Sequence, residues 1–211
     1  MDTDKQTRRQ RTVWQKAAAR YDRAMAPLER GLLAGSREWI AERAHGRILE
    51  VAIGTGRSLE FYPSDVELTG VDLSPAMLRR ARHRATELGL KPAFKVADVE
   101  HLPYDDGSFD TVVCALGLCS IPRPDAAVRE MARVLKPGGT LLLLDHIGSS
   151  WPPVWAAQWL IERVTILTSG EHLTRRQLPV VRAAALDVVE TERLKAGTIE
   201  RIRAVKASHG H

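Results

Sequence analysis

The residues of this 211-residue chain that could do chemistry stand at the ends of apolar segments. The stretch Arg47-Ile-Leu-Glu-Val-Ala-Ile-Gly-Thr-Gly56 is apolar and ends on two glycines, which predicts a buried strand followed by a sharp turn. A second apolar segment ends on the carboxylate of Asp72, at about the distance at which nucleotide-binding folds place the acid that binds the ribose. We therefore predict that an adenosine-containing cofactor lies across the carboxyl ends of a doubly wound sheet.

Two kinds of cofactor could bind to a strand, a glycine turn and an acid arranged in this way, and the spacing of the glycines distinguishes between them. The dinucleotide fingerprint G-x-G-x-x-G/A requires a third small residue, but Leu59 or Arg57 occupies that position, depending on where the count begins. An alternative pattern, acidic-x-small-x-Gly-x-Gly, is met at Glu50, Ala52, Gly54 and Gly56. It suits S-adenosylmethionine (SAM), which has an amino-acid end and a ribose diol but no pyrophosphate. The P-loop pattern of nucleotide triphosphatases is absent from the sequence.

Four blocks of sequence follow one another in a known order and spacing. They are Leu49–Gly56, Gly70–Leu78, Ala97–Pro103 with Phe109-Asp110, and Val134–Thr140. With these blocks, over roughly residues 47–146, the chain resembles the class I SAM-dependent methyltransferases. It departs from them at Ala52, where most relatives have glycine; alanine is still small, so we expect the turn to be kept.

The resemblance implies a role in cofactor binding for a set of named residues. Asp72 would accept hydrogen bonds from both ribose hydroxyls, and Asp98 would accept one from the adenine amino group. Leu73 and Met77 would flank the adenine, although either could equally belong to the core. The predicted cofactor residues are Tyr21, Glu50, Ala52, Gly54, Gly56, Asp72, Leu73, Met77, Asp98, Val99, Cys114 and Ala115.

Methyl transfer is an in-line displacement at a sulfonium, so it depends mainly on alignment and on exclusion of water. A base is needed only where the acceptor is protonated. His146 ends the fifth predicted strand, beside Asp145, and is our candidate base because imidazole titrates near neutral pH. His172 and Asp145 are alternatives, and a structural role for His146 stays open. The patterns H-E-x-x-H and C-x-x-C are absent, so we predict no metal site.

The substrate side is predicted from aromatic residues outside the four blocks. Three tryptophans share one face of a helix directly after the fifth strand, and they would cover the substrate or pack on the sheet or on another subunit. The predicted substrate residues are Trp151, Trp155, Trp159 and His172. Near the N-terminus an apolar stripe at helical spacing predicts a lid or a core helix. This stripe consists of Trp14, Ala18, Tyr21 and Met25.

The elements that must position these residues follow an alternation of strand and helix patterns. We predict strands near 47–53, 66–72, 92–97, 110–116, 139–146, 186–195 and 198–206. We predict helices near 8–25, 28–44, 57–61, 75–89, 124–136, 151–168 and 174–185. The fold class is α/β: a doubly wound, seven-stranded Rossmann-like sheet with its last strand antiparallel, helices on both faces and an N-terminal helical lid. We expect one domain over 1–211, with a lid (1–45), a cofactor core (46–146) and a substrate cover with the terminal hairpin (147–211).

Composition narrows the function further. The net charge is +5, but the basic residues are scattered without interleaved aromatics, so we expect no nucleic-acid partner. No apolar run approaches the ~20 residues of a spanning helix, and two cysteines fit a reducing cytoplasm. We predict methylation of a small, fairly apolar acceptor, with lipid-like molecules among the candidates and a thiol, amine, phenol, quinol or carbon as nucleophile. The alternatives are a non-catalytic SAM-binding accessory protein and a nicotinamide-dependent oxidoreductase.

Details of the sequence resemble three different branches of the family. Phe61-Tyr-Pro63, Leu118-Cys-Ser120 and His172-Leu-Thr-Arg175 resemble the alkyl-thiol methyltransferases. The glycine loop resembles bacterial phosphatidylethanolamine N-methyltransferases, and the N-terminal Tyr-Asp resembles ubiquinone and menaquinone C-methyltransferases. The nucleophile therefore stays open at this point.

Overall fold

A computed structural model describes residues 3–208 of the chain. Its strands are β1 (Arg47–Val51), β2 (Glu67–Asp72), β3 (Ala93–Val96), β4 (Phe109–Ala115), β5 (Leu135–His146), β6 (Leu186–Leu194) and β7 (Ile199–Lys206). Its helices are α1 (Thr3–Gly31), α2 (Ser36–Ala41), α3 (Pro75–Glu87), α4 (Pro124–Val134), α5 (Pro152–Thr168) and α6 (Leu178–Ala183). The strands form one sheet in the order β3-β2-β1-β4-β5-β7-β6.

The predicted doubly wound sheet is confirmed. Strands β1 to β5 pair in parallel, whereas β7 is antiparallel to both β5 and β6. The strand order reverses between β1 and β4, and in open α/β sheets ligands bind at such a switch point, outside the carboxyl ends of the strands. The fold thus puts a binding crevice at the ends of β1 and β4.

Both faces of the sheet are buried, as a parallel sheet covered by helices requires. Along β5 the fully buried leucines alternate between two core clusters: Leu141 and Leu143 face one, and Leu142 and Leu144 face the other. This burial on two sides explains why β5 is a continuous apolar run rather than an alternating one. The central strands are thereby fixed, which positions the side chains at their ends.

The N-terminal helices differ from their prediction. A single helix, α1, continues through Pro27 to Gly31 and packs along α3, and the chain breaks at Gly35, which has a left-handed φ of 75°. Proline removes one backbone donor without forcing an end where packing favours the helix. The short helix expected at 57–61 is also wrong, because this segment is a series of turns closed by hydrogen bonds three residues apart.

Two further boundaries are shifted. The helix expected at 174–185 is confined to α6. The residues Lys136-Pro-Gly-Gly139 belong to the start of β5 rather than to a helix end, since the residue after α4, Leu135, is already extended. Within residues 3–208, no helix has the length and apolar character needed to cross a bilayer.

Candidate active site

The turn after β1 carries alternate residues in the left-handed backbone region. The φ angles of Ala52, Gly54 and Gly56 are 51°, 59° and 76°. Glycine adopts this region freely, whereas alanine there carries a strain of roughly 1–2 kcal/mol. A Cβ atom placed on Gly117 would lie 2.7 Å from the Cβ of Ala52. The strained alanine therefore requires a glycine opposite it, at the end of β4.

Asp72 ends β2 and turns its carboxylate toward this glycine turn. It accepts hydrogen bonds from the backbone N–H groups of Gly54 (2.9 Å) and Ser74 (2.8 Å). Burial raises its pKa to about 6, against the opposing effect of these two bonds. A carboxylate has about four acceptor positions, and no cation among the described residues forms an ion pair with it. Acceptor capacity is left for a ligand with two hydroxyl donors, such as a ribose.

A cleft of about 720 Å³, including its open mouth, lies above the ends of β1, β2 and β4. Eight of the twelve predicted cofactor residues line it. They are Tyr21, Ala52, Gly54, Asp72, Leu73, Met77, Asp98 and Val99. The carboxylate of Asp98 accepts a hydrogen bond from the backbone N–H of Glu100 at 3.0 Å, which fixes the turn that carries it. The structure thus brings together the residues expected at the ribose and adenine.

Four predicted cofactor residues do not line this cleft. The buried Glu50 accepts a hydrogen bond from Ser58 (2.7 Å), which in turn accepts one from Arg37 (2.7 Å), so that Glu50 joins β1 to α2. Burial raises the pKa of Glu50. The others are Gly56, Cys114 and Ala115, which pack in the core around the turn. Their contact with the cofactor stays a prediction.

Several residues of the cleft were not predicted. The cleft is lined by Thr7, Gln10 and Trp14 of α1 and, in the loop after β4, by Leu116, Gly117, Ser120 and Ile121. Trp14 belongs to the predicted N-terminal stripe, and Thr7 and Gln10 continue that side of α1 at helical spacing. Because these two residues are polar, the apolar pattern did not indicate them. The loop residues carry no comparable signal in the sequence.

A second cavity, of about 1310 Å³ including its mouth, adjoins the first. Its lining is largely apolar, with Met25, Leu33, Val154, Leu173 and Ile199 among its residues, and it includes His146. Two further residues, Tyr21 and Leu116, line both cavities. Burial raises the pKa of Tyr21, so that its hydroxyl is neutral. These two residues mark the point where a group could pass from one cavity to the other.

His146 is held by a buried carboxylate. Its Nδ1 lies 3.5 Å from Oδ1 of Asp145, and its Nε2 is buried without a hydrogen-bond partner among the described residues. Asp145 accepts the backbone N–H groups of Cys119 and His146, both at 2.8 Å. Burial raises the pKa of Asp145, while the nearby histidine opposes that shift. Because a buried polar atom without a partner calls for a ligand or a proton-transfer role, Nε2 is the group of this cavity that could act on an acceptor.

The four predicted substrate residues line neither cavity. The three tryptophans are exposed: Trp151 directly precedes α5, and Trp155 and Trp159 belong to it. Nδ1 of His172 lies 3.6 Å from Oε1 of Glu162, and burial lowers the pKa of the histidine. α5 instead contributes Val154 and Gln158 to the second cavity. A substrate role for the tryptophans and His172 therefore stays a prediction.

Together, the sheet order, the glycine turn and the buried acid at the end of β2 define a Rossmann-like α/β protein with a site for an adenosine-containing cofactor. Comparison with known proteins gives the family. Residues 49–143 match the model of a methyltransferase domain. The chain is 36% identical over 154 residues to a phosphatidylethanolamine N-methyltransferase of Cereibacter sphaeroides, covering 72% of this chain and 75% of the relative.

A second relative and a solved structure support the same family. A thiol S-methyltransferase of Homo sapiens is 30% identical over 187 residues, covering 83% of this chain and 74% of that protein. The crystal structure of a SAM-dependent methyltransferase of Thermotoga maritima superposes with a TM-score of 0.70 at 22% identity, covering 92% and 99% of the two chains. The chain belongs to the SAM-dependent methyltransferases, and its cofactor is SAM.

Proposed function

We propose that this enzyme methylates a small apolar acceptor through a weakly acidic thiol or phenol, with His146 as the base. The observation that carries this proposal is the partnerless, buried Nε2 of a histidine that lines an apolar cavity. A neutral imidazole can take a proton from such a group near neutral pH. A thiol or phenol is a far better nucleophile once that proton is lost.

The second cavity supports an apolar acceptor because its side chains offer few polar partners. Around His146 the cavity holds aliphatic groups from α1, α5 and β7, whereas its polar residues include Gln158 and Glu171. A pocket of this kind binds through apolar contact and orients its ligand with a small number of polar groups. An acceptor with a single polar end would place that end at Nε2.

The residues of the first cleft would hold the cofactor in the matching orientation. SAM supplies the methyl group on a sulfonium. Asp72 would bind the ribose hydroxyls and Asp98 the adenine amino group, which would direct the reactive end toward Tyr21 and Leu116. These two residues border both cavities, so they would align the nucleophile with the methyl group and exclude water.

Proton transfer would be confined to His146 and Asp145. Nε2 would take the acceptor's S–H or O–H proton as the acceptor's electron pair forms the new bond to carbon; SAM, when bound, would supply the methyl group and leave as the neutral thioether. The carboxylate of Asp145, 3.5 Å from Nδ1, would stabilise the imidazolium that results. The two backbone N–H groups that bind this carboxylate fix its position.

The test is the release of S-adenosylhomocysteine with three acceptors of equal alkyl length: a thiol, a phenol and an amine. We expect turnover with the thiol or the phenol. His146→Asn should lower kcat/KM by roughly a hundredfold, as loss of a general base implies, with unchanged affinity for S-adenosylhomocysteine. The matched control is His83→Asn, an exposed histidine on α3 paired with Glu87, which should leave the rate unchanged.

Two outcomes would contradict the proposal. A wild-type rate in His146→Asn would remove this residue as the base. Turnover confined to the amine would replace the acceptor class with one like that named for the phosphatidylethanolamine relative.

A further inference from the structure

The outer face of α5 carries apolar side chains where a helix at a water-facing surface carries polar ones. Leu160, Val164 and Leu167 are 65%, 61% and 73% exposed, and no residue of this fully described helix is buried. The exposed side chains of Trp159 and Ile161 flank these three residues on either side. We call these five residues the outer α5 face. Contiguous apolar surface of this kind marks an interaction site.

The inward side of α5 is polar. Gln158 accepts the N–H of Ser149 (2.7 Å) and donates to the carbonyl of Ile147 (3.0 Å). Glu162 accepts the N–H of Thr174 at 2.6 Å. The polar side chains thus attach α5 to the protein, and its most apolar side chains point away from it. This arrangement is the reverse of an ordinary amphipathic surface helix.

Basic side chains lie beside the outer α5 face. The guanidinium of Arg163 lies 4.0 Å from the centre of the Trp159 ring, and it is the one charged side chain that α5 exposes. At the C-terminal end of α5, Arg9 of α1 donates to the carbonyls of Ile166 and Leu167. This contact brings the exposed basic start of α1 beside α5; its basic residues are Lys5, Arg8, Arg9 and Arg11.

Aliphatic, indole and arginine groups on one face are typical of helices that lie in the headgroup region of a bilayer. The same helix borders the second cavity through its inner side, where Val154 and Gln158 line the cavity. The cavity is also lined by Leu28 of α1 and by Leu32, which follows this helix, and both side chains are exposed. An apolar path therefore leads from the surface beside α5 to His146.

We propose that the outer α5 face, with Arg163 and the basic start of α1, docks on the surface of a bilayer containing anionic lipids. The docked protein takes its apolar acceptor from the lipid phase into the second cavity; this last step rests on the proposed function, whereas docking does not. The charge distribution favours lipid over a second copy of the chain. In a symmetric pair joined through α5, the basic groups of both copies would face one another.

The test is flotation of the full-length protein with vesicles of phosphatidylcholine alone or mixed with phosphatidylglycerol at three to one. We expect binding to the anionic vesicles, weakened several-fold by 0.5 M salt because surface charges are screened, and much weaker binding to phosphatidylcholine. The double variant Leu160→Glu, Val164→Glu should lower the bound fraction at least tenfold. The control Val189→Glu, at a 55% exposed apolar residue of β6, should bind like the wild type.

Each contrary outcome overturns the inference. Absence of wild-type binding to anionic vesicles would do so, as would equal binding by the double variant. Sedimentation without lipid gives a third result: a dimer that the double variant converts to a monomer would assign the face to a second copy. Binding of S-adenosylhomocysteine by both variants checks their folding. Flotation needs no acceptor or turnover, so failure of docking and failure of the proposed chemistry are separate results.

Discussion

Cofactor affinity should depend on pH through Asp72. Burial raises the pKa of this carboxyl group to about 6 in the free protein, and two ribose hydroxyls would hydrogen-bond the charged form and lower it again. At pH 7 the group is about nine-tenths ionised, and at pH 5 it is about one-tenth ionised. Affinity should therefore fall about tenfold from pH 7 to pH 5, and binding at pH 6 should release about half a proton.

The ligand for this test is methylthioadenosine, which keeps the ribose and adenine but has no amino-acid end that could titrate. Calorimetry in two buffers of different ionisation enthalpy would give both the affinity and the proton release. Asp72→Asn is the matched control: it should bind more weakly at pH 7 and lose the dependence on pH. Equal affinity at pH 5 and pH 7 in the wild type, or the same slope in the variant, would refute the assignment.

The raised pKa of Asp72 should also make the free energy of unfolding depend on pH. The native carboxyl holds its proton to a higher pH than the unfolded one, whose pKa is near 3.8. Its contribution to stability is therefore lost as the pH rises through the window from about 4 to about 6. The loss amounts to about 2 kcal/mol between pH 4 and pH 6, out of about 3 kcal/mol in all at 1.36 kcal/mol per pKa unit. Urea unfolding of wild type and Asp72→Asn at both ends of this window would measure it.

Two further predictions concern the loop after β4. Gly117→Ala should cost about 1–3 kcal/mol of stability in urea unfolding because of overpacking against Ala52, and Ala52→Gly should restore most of it; strictly additive effects would contradict this. Arg175 donates to three carbonyls of residues 118–121, so Arg175→Lys should weaken S-adenosylhomocysteine binding several-fold in calorimetry. The exposed Arg182→Lys should not, and equal affinities of the two variants would contradict the role of Arg175.

The cofactor side of the site could be predicted from sequence because its determinants are local. A strand that ends on a glycine turn and a second strand that ends on an acid meet at one sheet edge once the strands are parallel. Asp72 and Gly54 consequently lie within hydrogen-bond distance. The α/β class follows in the same way from the alternating patterns, whose periods differ between strand and helix.

Side-chain direction and helix ends were less predictable because they depend on what packs nearby. Glu50 shares a strand face with Ile48, and which helix covers that face is set by the fold rather than by neighbours in sequence. The structure covers it with α2, so that the carboxylate is bound to Ser58 and through it to Arg37. Similarly, Pro27 does not end α1, and the turn beyond it is held by ion pairs of Glu29 with Arg37 and Arg57, which no local pattern predicts.

α5 shows where a pattern rule fails for a physical reason. The rule that apolar residues point inward assumes that water is the medium outside. Applied to this helix, it would turn Leu160 and Val164 toward the sheet and expose Gln158 and Glu162. The opposite is observed, and the inward polar groups are satisfied by hydrogen bonds at 2.6–3.0 Å. In the proposed docked state the headgroup region of a bilayer, rather than water, lies against the outer face, and apolar side chains are then favourable there.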